Sequence, residues 1–399
     1  MAQSAREEVV IVAGARTGVG TFGGQFSEVP AAELGATAIR AAVARAGING
    51  ADINGVVMGC AGQVGKDAYV SRAAGLGAGL PIEVPAVTVN RLCGSGLQAI
   101  NQATLEISSG NAEIMVAGGT ENMTRFPYFL EKARYGYRMG DSPLMDNLTT
   151  VLSDPFTNNH MGITAENLAE KFSISREDSD AFALRSQQLT DAAIKAGYFK
   201  DQITPVTIPQ KKGEPLQIVA DEHPRPQTTL DTLAKLKPAF KKDGVVTAGN
   251  ASGINDAAAA VVLMSASKAQ QLKLKPKARI VAQAVVGVPP EIMGIGPVMA
   301  IYSVLSRAQM TIDQIDMIEL NEAFATQALA CIRELDLDMD KVNINGGAIA
   351  LGHPIGATGA ILTVKLMYEL ERRGARFGLI TACIGGGQGI ATILENLSL

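Results

Sequence analysis

Short apolar runs rich in Val and Ile alternate along the chain with segments in which apolar residues recur every three or four positions. The first pattern is typical of buried strands and the second of helices that cover a sheet. The alternation predicts an α/β fold. The predicted strands include residues 9–13, 84–89, 278–284, 315–320 and 377–383, and residues 84–89 are expected to be buried.

A weak internal repeat indicates a duplicated α/β unit. Residues 45–58 and 307–320 share Arg-Ala, then an Ile, then the start of an apolar strand in the same register. A helical pattern precedes each segment, and a predicted strand precedes that helix, at residues 9–13 and 278–284. Duplication is one explanation of these few matches, and chance is the other.

Composition changes over residues 121–245, where aromatic residues, prolines and charges become more frequent. A capping-box pattern at Ser175 and Asp178 predicts a helix that continues to about Ala196. We interpret residues 121–245 as an inserted loop domain. The N-terminal half then comprises residues 1–120 and 246–273, and the C-terminal half comprises residues 274–399.

Length and charge exclude several classes of protein. With 399 residues and 47% hydrophobic content, the chain can form two domain-sized cores. The formal net charge of −4 argues against a nucleic-acid surface, so local cations or backbone N–H groups must bind any anionic ligand. No apolar stretch predicts a membrane helix or the core of a signal peptide, and the last residues are not a Ser-Lys-Leu address. We expect a cytoplasmic protein without a membrane partner.

The four cysteines are Cys60, Cys93, Cys331 and Cys383. They are widely spaced and form no C-x-x-C pair, which disfavours a disulfide framework and a structural zinc site. We therefore expect free thiols in a reducing compartment, no metal and no permanently bound cofactor.

Cys93 lies between a predicted strand and a predicted helix, with Gly94 and Gly96 beside it. The free N–H groups and the dipole of a helix N-terminus favour a thiolate, and the glycines leave the thiol open to an electrophile. The pattern is equally consistent with a small core cysteine. The helix is predicted from an apolar face formed by Leu97, Ile100, Thr104 and Ile107.

A cysteine nucleophile needs a base, and the chain has three histidines, His160, His223 and His353. His353 follows a glycine-rich turn and precedes a predicted helix, a position that resembles that of Cys93. In a duplicated fold the two residues face each other across the pseudo-twofold axis. The alternative is a hydrogen-bonded histidine in a structural turn.

Two further strand ends carry polar or reactive groups. Cys383 ends a predicted strand, and the glycines that follow it from Gly385 can aim N–H groups at a developing oxyanion. Asn321 and Glu322 follow another strand. This pair suits the orientation of a water or a carbonyl, or else the N-cap of the next helix.

Six segments together resemble the motif set of the thiolase family, in order and over essentially the whole chain. They are Asn90–Gly96, His160–Glu166, Gly249–Asp256, Asn321–Ala325, Asn345–Gly356 and Cys383–Gly389. The resemblance implies the thiolase fold, with two similar α/β halves, mixed sheets and helices in an αβαβα arrangement, plus a loop domain for coenzyme A. It also implies a homodimer or a homotetramer.

The resemblance further implies a ping-pong mechanism. Cys93, activated by His353, attacks the thioester, and Cys383 moves a proton at the α-carbon. The backbone N–H groups of Cys93 and Gly385 bind one oxyanion, and His353 with a water held by Asn321 binds the other. Implied contacts to CoA come from Leu152, His160, Met161, Arg225, Thr232, Phe240, Ala248, Ser252, Ala323 and Phe324. Thr232 replaces a serine that is frequent in biosynthetic enzymes but keeps the hydroxyl.

Short segments of the chain resemble one or the other of two branches of the thiolase family. His160 and Met161 resemble the short-chain biosynthetic enzymes, which interconvert two acetyl-CoA with acetoacetyl-CoA and CoA. Residues 221–230 and 293–298 also resemble a broad-specificity 3-ketoacyl-CoA thiolase, which is the alternative. A third hypothesis is a thiolase-like module that binds acyl-CoA without catalysis. A ketoacyl synthase is disfavoured because such enzymes pair one cysteine with two histidines.

Overall fold

The computed structural model describes residues 7–399, and the elements below refer to that part of the chain. The strands are β1 Val9–Arg16, β2 Gly20–Thr21, β3 Gly55–Gly59, β4 Ala86–Val89, β5 Ile114–Asn122, β6 Tyr128–Phe129, β7 Met145–Asp146, β8 Val206–Ile208, β9 Leu216–Ile218, β10 Asn255–Ser265, β11 Ala278–Gly287, β12 Met317–Leu320, β13 Phe377–Ile384 and β14 Gln388–Asn396. The helices are α1 Ala31–Ala46, α2 Val70–Gly77, α3 Ser95–Ser108, α4 Asn147–Val151, α5 Met161–Lys171, α6 Arg176–Lys195, α7 Leu230–Ala234, α8 Ala266–Gln271, α9 Gly296–Ala308, α10 Ala325–Glu334, α11 Ala348–Leu351 and α12 Thr358–Arg373.

The main sheet is mixed. Within residues 7–399 its strand order is β12-β13-β14-β11-β1-β10-β5-β3-β4, and β2 pairs with β10. β3 runs parallel to β4 and β5, and β12 runs parallel to β13. The strands of the two halves meet at a short antiparallel contact between β1 and β11, where Val10 pairs with Arg279 and Ile11 with Ala278.

Helices α3 and α12 form the middle of the molecule. α12 packs against α3 and against strands of both halves, among them β10 and β13. The side chains of α12 are buried on nearly every face, because the helix lies between the strands of the first half and those of the second half. A second core lies outside the first half, under α1, and a third lies outside the second half, under α9 and α10. The result is the predicted succession of helix, sheet, helix, sheet and helix.

The internal repeat corresponds to equivalent structure. In the first half β1 is followed by α1, a 3-10 turn at Gly50–Asp52 and β3. In the second half β11 is followed by α9, a 3-10 turn at Ile312–Gln314 and β12. The repeated residues therefore occupy the same place in each unit, which favours duplication over chance.

The prediction of a buried strand at residues 84–89 was wrong. β4 covers Ala86–Val89 and forms one edge of the main sheet, and Val87 is 46% exposed. Val and Thr suit an edge strand as well as a central one, so composition alone does not separate the two.

Residues between β5 and β10 form the inserted segment, and the capping box at Ser175 and Asp178 opens α6 as predicted. A buried ion pair ties this segment to the first half, since Arg16 Nη1 lies 2.7 Å from Asp221 Oδ1 and both side chains are 1% exposed. The backbone N–H of Val19 also donates to Asp221. Across residues 7–399, no helix combines the length and apolarity needed to cross a bilayer.

Candidate active site

A cavity of about 530 Å³ lies where both halves meet the inserted segment. Twelve of the predicted site residues line it, from all three parts of the chain. Those expected to act in the chemistry are Cys93, His353 and Gly385. Those expected to contact CoA are Leu152, His160, Met161, Arg225, Phe240, Ala248, Ser252, Ala323 and Phe324.

Three predicted residues lie outside this lining. Thr232 borders a neighbouring cavity of about 370 Å³ that shares Arg225 and Ala248 with the first. Cys383 is fully buried in an apolar cluster with Met161 and Phe324. Asn321 is fully buried too and borders a small separate cavity of about 20 Å³.

Cys93 lies in a 3-10 turn, Leu92–Gly94, directly before α3. Burial of the sulfur raises the pKa of Cys93 to about 11, although the N–H groups of Gly385 and Cys93 lower it. The expectation that the helix N-terminus favours a thiolate was wrong, because desolvation of the charged form outweighs these N–H groups. The N–H groups of Gly385 and Cys93 therefore lie close to the Cys93 sulfur.

His353 is held by its backbone and by one ring nitrogen. Its N–H donates to Asn255 Oδ1 at 2.9 Å, and its Nδ1 lies 2.6 Å from Thr358 Oγ1. Because the Thr358 hydroxyl donates to Pro354 O, its oxygen accepts the Nδ1 proton. Nε2 then carries a lone pair and has no partner within residues 7–399. Burial lowers the pKa of His353 to about 4, so the ring is a neutral base at pH 7.

Cys383 lies in the buried part of β13, one residue before the strand ends, and it does not line the cavity. Burial raises the pKa of this thiol well above its usual value, and the nearby thiols of Cys93 and Cys331 raise it further. Strand β13 contacts the turn that carries Cys93, so the two cysteines lie on adjacent segments. Both thiols are therefore protonated in the resting protein.

The Asn321 side chain is an unpaired polar group in the interior. Neither its Oδ1 nor its Nδ2 has a hydrogen-bond partner among residues 7–399, although its backbone N–H donates to Thr381 O. An unpaired buried amide is costly, so a site that retains one is a candidate for ligand or water binding. Neither Asn321 nor Glu322 caps α10, whose N-cap is Phe324, so the N-cap alternative was wrong.

An aromatic wall lines the inserted-segment side of the cavity. The His160 ring stacks on Phe240 with centroids 4.6 Å apart, and Phe240 meets the edge of Phe324 at 6.2 Å. His160 Nδ1 accepts the N–H of Gly162 at 3.0 Å, so its proton resides on Nε2 at neutral pH. A side chain at Gly162 would come within 2.2 Å of Phe240, which explains the glycine.

The segment from Ala248 to Ser252 is joined to the second half. The N–H of Ser252 donates to Ala323 O at 3.0 Å, and Ala251 pairs with Phe324 across an isolated bridge. Arg225 is fixed by its N–H to Gln187 Oε1 at 2.9 Å. Within residues 7–399 its guanidinium forms no ion pair, and it is a cation available to an anionic ligand.

Sequence reasoning missed several lining residues. His223 was given no role, yet it borders both larger cavities, and burial lowers its pKa to about 4. Its place two residues before Arg225 was the available signal. The other missed residues are ordinary apolar side chains, including Phe22, Met123, Ile254, Met293 and Ile355. Ile254 and Ile355 lie within two of the six motifs, but an apolar side chain there did not by itself indicate a lining residue.

Known proteins resemble this chain over almost its full length. Residues 9–267 match the thiolase N-terminal domain and residues 274–396 match the thiolase C-terminal domain. An acetyl-CoA acetyltransferase of Pseudomonas aeruginosa is 53% identical over 98% of this chain and 100% of its own. The beta-ketothiolase BktB of Cupriavidus necator is 52% identical over 98% of this chain and 99% of its own.

Solved structures agree with the fold. The Bacillus anthracis acetyl-CoA acetyltransferase superposes with a TM-score of 0.97 at 47% identity, covering 98% of this chain and 100% of its own. The human mitochondrial 3-ketoacyl-CoA thiolase in complex with CoA gives a TM-score of 0.94 at 46% identity and covers 98% of both chains. The chain belongs to the thiolase family and has the thiolase fold.

Proposed function

We propose that this thiolase is an acetyl-CoA C-acetyltransferase, which interconverts two acetyl-CoA with acetoacetyl-CoA and CoA. The observation that carries the proposal is that Cys93 and the free Nε2 of His353 line one cavity, while Cys383 is buried outside the lining, two residues before the lining residue Gly385. Claisen condensation needs a nucleophile and a base that removes a proton from carbon, and the thiols of Cys93 and Cys383 supply both. The relatives named acetyl-CoA acetyltransferase support this reaction.

In the first half-reaction Cys93 attacks the thioester carbonyl and His353 Nε2 accepts the thiol proton. The N–H groups of Cys93 and Gly385 stabilise the tetrahedral oxyanion, a contribution worth about 10²–10³ in rate for one such donor. When the carbon–sulfur bond to CoA breaks, Cys383 gives its proton to the departing sulfur. The products are acetyl-Cys93, free CoA and a Cys383 thiolate.

In the second half-reaction the Cys383 thiolate removes the α-proton of another acetyl-CoA. His353 and a water held by Asn321 stabilise the enolate oxygen. The α-carbon attacks the acetyl-Cys93 carbonyl, acetoacetyl-CoA forms, and the Cys93 sulfur regains its proton from His353. Atoms and protons balance, and both thiols return to the protonated state that burial favours.

The CoA part of the substrate enters along the aromatic wall. His160, Phe240 and Phe324 cover the pantetheine, and Arg225 binds the anionic nucleotide end as a fixed cation. Thr232, in the adjoining cavity, contributes a hydroxyl to the same end. CoA acts as substrate and product in this scheme, and no metal or resident cofactor has a role.

A broader 3-ketoacyl-CoA thiolase is the second candidate. An apolar cluster packs against Cys93, and its side chains Met123, Ile254 and Ile355 line the cavity. Such a surface suits an acyl chain longer than acetyl. The likeness to human 3-ketoacyl-CoA thiolase supports the same reading.

Thiolysis rates over a ladder of 3-ketoacyl-CoA substrates, from acetoacetyl-CoA upward, separate the two candidates. Activity confined to acetoacetyl-CoA establishes the acetyltransferase, and equal or rising activity with longer chains establishes the broad enzyme. No activity in the wild type would favour the non-catalytic binding module.

Two cysteine variants test the assigned roles. We expect Cys93→Ala to form no acyl-enzyme from acetyl-CoA, as measured by intact mass. Cys383→Ala should still acylate Cys93 but turn over at least about 10²-fold more slowly, because the carbon base is absent. Full turnover by Cys383→Ala would show that the base is another group.

We also propose a homodimer, or a homotetramer built from two dimers, in the cytoplasm. The exposed edge strand β4 offers unpaired backbone groups to a second copy. A second apolar surface surrounds β6 and β7, with exposed side chains at Tyr128, Tyr135, Met139 and Leu144. The four cysteines are free thiols, as suits a reducing compartment.

A further inference from the structure

Glu322 is a buried carboxylate next to Asn321, and the reaction described above gives it no role. Its side chain is 0% exposed and has no ion-pair partner among residues 7–399. A carboxylate in that position requires several hydrogen-bond donors to be stable. Its three donors come from three separate parts of the chain.

The first donor is Asn343, whose Nδ2 lies 2.8 Å from Glu322 Oε1. The same amide is paired with the backbone of β12, since Asn343 Oδ1 accepts Leu320 N at 2.9 Å and Nδ2 donates to Leu320 O at 2.8 Å. Asn321 follows Leu320 directly. Glu322 and Asn343 therefore fix the backbone on both sides of Asn321.

The second donor is the backbone N–H of Ile349, 3.2 Å from Glu322 Oε2. Ile349 belongs to α11, the short helix that leads to His353. The adjacent Gly347 packs so closely that a side chain there would come within 2.2 Å of the Glu322 carboxyl carbon. The carboxylate thus holds the turn that precedes His353.

The third donor is Ser186 of α6, in the inserted segment, with Oγ 2.7 Å from Glu322 Oε2. Ser186 Oγ also accepts the N–H of Gly347 at 3.1 Å. Helix α6 carries Gln187 as well, which binds the backbone of Arg225. One carboxylate therefore links the CoA-binding segment to the turn before His353 and to the strand end that carries Asn321.

We infer that Glu322 is a positioning residue that sets the alignment of Asn321 and His353 relative to each other and to the inserted segment. It touches neither substrate nor reacting atoms. The inference rests on the proposed function, in which Asn321 and His353 share the enolate oxygen. A displacement of about 1 Å in such an arrangement can cost about 10²-fold in rate.

Glu322→Gln is the sharpest variant because it keeps the shape and exchanges one acceptor for a donor. An amide nitrogen at the Oε1 position would oppose Asn343 Nδ2, and at the Oε2 position it would oppose the N–H of Ile349. Either orientation leaves one buried donor unpaired. Glu319→Gln is the matched control, since Glu319 is a buried carboxylate three residues earlier that pairs with Lys365 at 2.9 Å.

The experiment measures acetoacetyl-CoA thiolysis and the pH profile of Cys93 alkylation in wild type, Glu322→Gln, Glu319→Gln and Ser186→Ala. The amount of acyl-Cys93 formed in a burst gives the fraction of folded, competent enzyme. We expect Glu322→Gln to lower kcat per acylated site about 10- to 100-fold, with KM within about threefold, because the cavity wall is unchanged. Ser186→Ala should lower kcat per acylated site less than Glu322→Gln does. Glu319→Gln should leave kcat per acylated site unchanged and lower only the amount of acyl-Cys93 formed in the burst.

The possible failures are distinguishable. If wild type lacks thiolysis, the proposed function fails. If wild type is active and Glu322→Gln retains wild-type kcat per acylated site, or changes it no more than Glu319→Gln does, the positioning role is wrong. The alkylation profile of Cys93 should be unchanged in Glu322→Gln, because burial and neighbouring N–H groups set the pKa of that thiol. A changed profile would show a general disturbance of the site and would contradict the positioning role.

Discussion

At the scale of single residues, protonation state is the main property that burial decides. Burial raises the pKa of Cys93 to about 11 and lowers that of His353 to about 4, so the resting pair is a neutral thiol and a neutral imidazole. The nucleophile is therefore generated by proton transfer during the attack, and no thiolate–imidazolium pair exists beforehand. This differs from cysteine enzymes in which a helix N-terminus stabilises the thiolate.

Alkylation by iodoacetamide as a function of pH tests this description. Below a pKa of about 11 the thiolate fraction of Cys93 grows with pH, so its alkylation rate should rise continuously between pH 7 and pH 10. Mass spectrometry of peptides should find Cys93 modified first, because Cys60, Cys331 and Cys383 are buried. A rate that levels off near pH 7 would show that a thiolate exists in the resting protein.

At the scale of elements, the position of the inserted segment depends on a buried ion pair between Arg16 and Asp221. Arg16 ends β1 and is held by Gln202 and Asp221, and Asp221 also accepts the N–H of Val19. His223 and Arg225 follow two and four residues later and line the cavity. The pair therefore joins the sheet of the first half to the wall of the CoA site.

Removal of Arg16 from its buried pair with Asp221 should destabilise the protein much more than removal of an exposed ion pair would. We expect Arg16→Met to lower the free energy of unfolding by about 3–5 kcal/mol, because it leaves the buried Asp221 without its cation. Replacement of both partners by apolar residues should cost less than the single change. Urea unfolding followed by circular dichroism measures both.

The control for this pair is Lys195→Met, which removes the exposed ion pair with Asp191 on α6. Its effect should stay below about 1 kcal/mol, the usual range for surface pairs. Equal effects of Arg16→Met and Lys195→Met would mean that the buried pair does not hold the inserted segment.

At the scale of the whole molecule, the main sheet ends in an exposed strand, and the proposed homodimer is argued from this edge. β4 pairs on one side with β3, and its other edge is free of strands within residues 7–399. Val87 exposes 46% of its surface there. Exposed apolar sheet edges normally pair with another chain or carry charges that prevent pairing.

A lysine at this edge should prevent the assembly. We expect Val87→Lys to shift the protein toward the monomer in sedimentation velocity, because pairing would bury the added charge. Ile194→Lys is the control, since Ile194 is similarly exposed, at 44%, but lies on α6 in the inserted segment. A wild-type protein that sediments as a monomer at micromolar concentration would contradict the proposed homodimer.

The sequence by itself determined the alternation of strands and helices, the capping box of α6 and the family. These follow from local patterns, since hydrophobic periodicity and glycine-rich turns act over a few residues. The family prediction is confirmed by the matches over residues 9–267 and 274–396. The roles of the site residues and the domain bounds stay predictions.

The tertiary structure alone decided which of these local features act together. It brought Cys93 and His353 to one cavity with Cys383 buried outside its lining, made β4 an edge, and buried Glu322 among donors from residues 343–349 and from α6. It also reversed the expected ionisation of Cys93, because a pKa depends on the desolvation of the sulfur by residues distant in sequence. Contacts such as that of Arg16 with Asp221 join positions about two hundred residues apart, and no local pattern in the sequence encodes them.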